Sequence, residues 1–71
     1  MTARQVIRVL RANGFVLSRQ RGSHMIWRHF STGTIVPVPV PLHGQSKPIP
    51  IGTLLAIIKQ SKIPREEFER R

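Results

Sequence analysis

His24 stands directly behind Arg19, Arg21, Gly22 and Ser23 and ahead of an apolar run, in the stretch RQRGSHMIW at 19–27. An imidazole so placed has two readings. It is a proton acceptor in a reaction, or it is a strand-opening residue on a solvated turn. Gly22 lets the backbone approach an oxyanion closely, and the Gly22 and Ser23 amides or the Ser23 hydroxyl can donate to it. Arg19, Arg21 and Arg28 add guanidinium groups within a few residues on either side, the side chain best shaped to hold phosphate oxygens. Three histidines occur in all, at 24, 29 and 43.

The rest of the composition narrows what such a group can do. Twelve Lys and Arg face three acidic residues, for a net charge of +9. Those three, Glu66, Glu67 and Glu69, sit together near the end, and no carboxylate precedes them. A carboxylate pair flanking a glycosidic bond cannot be built from such a cluster. The absence of cysteine removes disulfides and thiolate metal sites. A zinc site built on the histidines would set a cation beside many others with no carboxylate to orient its ligands, so no metal and no cofactor are expected. A surface this basic is an electrostatic sink for a polyanion, which points to nucleic acid or an acidic protein partner. No run approaches the roughly 20 apolar residues that cross a bilayer, and the start of the chain lacks a signal-peptide core, so a cytoplasmic protein is expected.

Cleavage of RNA asks for little more than this inventory. The substrate brings its own nucleophile, the ribose 2′-hydroxyl. A protein has only to take that proton, stabilise charge on the phosphoryl oxygens and help the 5′-oxygen leave. His24 is the candidate base, with Arg19, Arg21, Gly22, Ser23 and Arg28 as candidate phosphate contacts. His29, five residues on, falls on the opposite face of a regular strand and reads as a packing or surface residue. His43 and Lys47 lie in a basic loop and are further candidate contacts, with ordinary loop chemistry as the alternative. Trp27 and Phe30 could stack on bases, although a lone Trp in a chain of 71 residues is more simply a core residue. A non-catalytic RNA-binding module or a ribosome-associated structural protein would use the same charges.

The elements that must position these residues are legible in the spacing. Thr2 can cap a helix whose apolar face is Ala3, Val6, Ile7 and Leu10, with Arg4, Arg8 and Arg11 off that face. Asn13-Gly14 ends it. Phe15–Gln20 alternates loosely, Phe15 and Leu17 pointing one way and Ser18 and Gln20 the other. His24–Phe30 reads as a second strand after a tight turn at Arg21-Gly22-Ser23, and Ser31–Thr34 forms the next turn. Ile35–Leu42 carries proline at 37, 39 and 41. Alternate residues of an extended strand aim their backbone groups to the same side, so all the missing donors lie on one edge while Val36, Val38 and Val40 can still bond a neighbour. That suits an edge strand, with a polyproline-like linker as the alternative. A helix then presents Ile51, Leu54, Leu55 and Ile58, widened by Ala56 and Ile57. Pro64 opens a short terminal turn from which Phe68 folds back on the core. The expected architecture is α+β, with helices covering one face of a three-stranded antiparallel meander, in a single domain spanning 1–71.

The chain resembles the HicA family of bacterial toxins, also described as YcfA-like mRNA interferases. The resemblance is carried by Asn13-Gly14-Phe15, Gly22-Ser23-His24, Trp27-Arg28-His29, Pro41-Leu42-His43, the segment GTLLAII at 52–58 and the closing IPREEF at 63–68. It implies a double-stranded-RNA-binding-domain-like fold of helix, three strands and helix. It also implies that His24, in the glycine-[serine or glycine]-histidine motif, is the catalytic residue of an mRNA-cleaving endoribonuclease that arrests translation. The implied partners are mRNA and a HicB-like antitoxin, the toxin being a monomer when free and part of a hetero-oligomer when neutralised. The chain departs from the family pattern in three places. It has three prolines where one is usual, which bears most on His43; Lys62 where a glycine is usual, which changes a turn and not the site; and a proline-marked loop at 44–50, which bears on how His43 and Lys47 sit.

Overall fold

The computed structural model describes residues 1–40, 44 and 46–69. Helix α1 spans Ala3–Ala12. Thr2 caps it as expected, and the cap is reciprocal: the Gln5 amide donates to Thr2 Oγ1 at 3.2 Å, and the Thr2 amide donates to Gln5 Oε1 at 2.9 Å. Ala3, Val6, Ile7, Val9 and Leu10 are buried, whereas Arg4, Arg8 and Arg11 are exposed. At the other end the Asn13 side chain donates to the Val9 carbonyl at 2.9 Å, and Gly14 follows at φ 88°. These are the residues the sequence marks as the stop signal.

Strands β1 (Phe15–Arg21), β2 (His24–His29) and β3 (Ile35–Pro39) form one antiparallel sheet in the order β1-β2-β3. The first connection is a two-residue loop, with Gly22 at φ 56° in the position where a type II′ hairpin needs positive φ. His29 organises the second. Its Nδ1 accepts from the Ser31 amide at 3.1 Å and the Thr32 amide at 3.2 Å, and its own amide donates to the Thr34 carbonyl at 2.9 Å.

β3 is an edge strand, as the proline parity predicts. The Val40 amide donates to the Ser23 carbonyl at 2.6 Å, and the pairing continues as Met25 opposite Val38 and Trp27 opposite Val36. The valines therefore hold the inward-bonding positions, and Pro37 and Pro39 turn their donorless nitrogens to the open edge. Val36 and Val38 are fully buried on the sheet face that packs under the helices.

Helix α2 (Ile51–Ser61) covers that same face beside β3, and helix α3 (Arg65–Glu69) closes over it with Phe68 buried. The apolar stripe of α2 is rotated from the expected one. Ile57 and Ser61 are buried and Leu54 and Ile58 are partly so, but Ile51 and Leu55 are exposed. Two apolar registers exist on this helix, and docking on β3 selects the one that includes Ile57. The helix ends on Lys62, in the left-handed region at φ 62° and ψ 12°. Trp27 is fully buried at the centre of the core, with the Arg11 guanidinium 5.3 Å from its ring centroid. The core reading of Trp27 therefore holds. Among the described residues no helix is long and apolar enough to cross a membrane.

Candidate functional site

Among the described residues all helices pack on one side and none covers the opposite side of the sheet, and the strand register states what stands on it. Three rows cross the strands from β1 to β3: Val16–Arg28–Ile35, Arg19–Ile26–Pro37 and Arg21–His24–Pro39. His24, Arg19, Arg21 and Arg28 are all exposed there. Directly opposed residues stand about 5 Å apart at Cβ, so His24 has a guanidinium-bearing neighbour on one side and a proline ring on the other. Arg21, Gly22, His24 and Ile26 line a shallow depression at this end of the face.

A bulge produces this gathering. The β1–β2 register steps between Leu17 and Arg19, leaving Ser18 as an extra residue in β1. Under strict alternation Arg19 and Arg21 would share the parity of Phe15 and Leu17, the side of the core. The extra residue shifts everything after it by one, which turns both arginines to the face of His24 and returns Gln20, opposite Met25, to the side of Leu17. The expected pointing of Gln20 away from Leu17 is thereby corrected. No residue type in Leu17-Ser18-Arg19 marks the bulge. What selects it is the combination of the two-residue turn at Gly22-Ser23 with Leu17 held opposite Trp27.

Gly22 has nothing within 4 Å of where a Cβ would stand, so its backbone is open to an incoming group. Ser23 is exposed, and its carbonyl is engaged by Val40. Lys47 is exposed too, in a segment tied to the start of the chain: Pro48 bridges Thr2, and the Ile49 amide donates to the Met1 carbonyl at 2.8 Å. His43 lies outside the described residues. His29 is on the core side, as its parity predicts, edge-on to Phe15 with centroids 5.2 Å apart and stacked on exposed Phe30 at 5.1 Å. It serves the second turn and stands on the other side of the sheet from His24.

The assembly is a small α+β domain with one open sheet face that carries guanidinium groups, an accessible imidazole and no acidic side chain. The family model for the HicA toxin of bacterial toxin–antitoxin systems matches residues 3–63. The chain belongs to the HicA toxin family. A comparison with curated proteins finds no match.

Proposed function

We propose that this toxin is an mRNA-cleaving endoribonuclease in which His24 is the general base, acting without a metal ion. The observation that carries the reading is the row Arg21–His24–Pro39 on the open face, which places an exposed imidazole beside a guanidinium and an unobstructed glycine turn. His24 takes the proton from a ribose 2′-hydroxyl. The 2′-oxygen then bonds to the adjacent phosphorus, the P–O5′ bond breaks, and the departing O5′ takes up a proton from water, His24 returning its own to solvent. The products are a 2′,3′-cyclic phosphate and a 5′-hydroxyl. Arg21 and Arg19, with the Gly22 and Ser23 amides, receive the charge that builds on the phosphoryl oxygens. A cognate antitoxin of complementary, acidic character neutralises the toxin by covering this face.

The test is cleavage of a defined RNA in chelator by wild type and His24→Ala, with the ends identified. The expected outcome is a 10²- to 10⁴-fold loss in the variant, the usual range for a positioned general base, with RNA binding retained. Cleavage by the variant at the wild-type rate removes His24 from the role, and 5′-phosphate ends rule out the 2′-hydroxyl as nucleophile. A protein that binds RNA and never cuts it is the non-catalytic module instead.

A further inference from the structure

The open face is more apolar than phosphate binding requires. Val16 is 54% exposed and Ile35 47% exposed, Pro37 is exposed, and Ile26 and Pro39 are half-buried. On the solvent side of an antiparallel sheet those positions are ordinarily polar. Their distribution is also ordered. The cations of the two rows nearest the turn, Arg19 and Arg21, stand on β1, whereas the same rows carry Pro37 and Pro39 on β3, with Ile26 and His24 between them. The face thus runs from a cationic rail on β1 to an apolar shelf that begins at Ile26, on the strand of the imidazole, and continues over β3.

We propose that the shelf formed by Ile26, Pro37 and Pro39 seats an unstacked nucleobase of single-stranded RNA, the base of the nucleotide whose 2′-hydroxyl faces His24. The proposal rests on the ribonuclease reading for its placement of the sugar. A nucleotide laid across the strands puts its phosphate on the rail, its ribose over β2 and its base over β3, a span of two inter-strand gaps or about 10 Å. A duplex would present phosphates, sugars and polar base edges to this face, with its base faces stacked away, and would leave the apolar shelf without an apolar partner. A splayed strand covers it, as unpaired bases do when proteins read single-stranded RNA. Pro37 and Pro39 consequently do two things with one ring each: they close the sheet edge, and they stand on the open face as rigid, apolar surface. A protein occupant is the competing possibility, and it would need no base.

The experiment compares a short single-stranded oligoribonucleotide with the same chain in which each base is replaced by hydrogen and each 2′-hydroxyl is kept. Affinity is read with the His24→Ala protein so that no substrate is consumed. The expected result is about 5- to 30-fold weaker binding of the base-free chain, below or within what stacking on an aromatic ring supplies. Ile26→Thr with Pro39→Ser should shrink that ratio to less than about threefold, within the variation of phosphate-dominated binding. Equal affinity for the two oligonucleotides overturns the shelf and leaves its apolar residues to a protein partner. This outcome is separate from the fate of the nuclease reading, which stands or falls on cleavage by the wild type. As a second readout on that protein, a single base-free nucleotide at the mapped cleavage site should lower kcat/KM by a similar factor. An unchanged kcat/KM counts against the shelf even if cutting persists.

Discussion

Gly14 and Gly22 both hold positive φ, yet replacing them should have unequal consequences. At Gly22 a Cβ meets nothing within 4 Å, so Gly22→Ala carries only the positive-φ backbone penalty, about 1–2 kcal/mol. At Gly14 the same atom would stand 2.7 Å from His29 Nε2 and 3.1 Å from Phe30 Cε1. His29 cannot yield freely, because its Nδ1 holds the Ser31 and Thr32 amides and its ring is packed on Phe15. Overpacking adds to the backbone term, and Gly14→Ala should lose about 2–4 kcal/mol in urea denaturation. Equal losses for the two variants would show that His29 is not fixed. The contrast also marks what single residues disclose in advance. The types around His24 are those the proposed phosphate contacts call for, and the odd spacing of His29 from His24 is enough to send it to the other face. That Arg19 and Arg21 share the face of His24 was not legible, because it depends on an extra residue at Ser18 that only pairing reveals.

At the scale of elements, Lys62 is where a left-handed backbone falls on a residue that carries a side chain. It ends α2 at φ 62°, a conformation that costs a residue with a side chain about 1–2 kcal/mol. Lys62→Gly removes that strain but adds about 0.5–1 kcal/mol of unfolded-state entropy. The net expectation is a gain of about 0.5–1 kcal/mol, read as a higher denaturation midpoint at unchanged slope. A loss would mean that the Lys62 side chain makes a contact worth more than the strain. β3 allows a sharper comparison. Val38→Pro deletes an inward donor from the ladder to Met25 and should unfold the domain, whereas Pro37→Ala only restores an outward donor and should leave stability within about 0.5 kcal/mol of wild type. That asymmetry follows from the Val-Pro alternation alone, which is why β3 was readable before its neighbours were. The facing of α2 was not, since Ile51, Leu54, Leu55, Ile57 and Ile58 satisfy more than one helical stripe, and only contact with β3 leaves Ile51 and Leu55 outside.

For the whole molecule, positive charge is in excess, and the proposed function requires that only part of it touch RNA. Arg19, Arg21 and Arg28 share the open face with His24, whereas Arg4 and Arg8 stand along α1 on the helical side of the sheet. Net charge of +9 draws RNA from any direction, so affinity at a single ionic strength will fall for every Arg→Gln variant. The salt dependence separates the two sets. Each phosphate neutralised by direct contact contributes about 0.7 to the slope of log K against log salt for a single strand, and a distant charge that only steers contributes much less. Arg19→Gln and Arg21→Gln should therefore each flatten the slope by about 0.7, and together by about 1.4. Arg4→Gln with Arg8→Gln should shift the line and keep its slope. The reverse pattern, a flatter slope from the α1 pair and none from β1, would place RNA on the helical side and leave His24 facing no substrate.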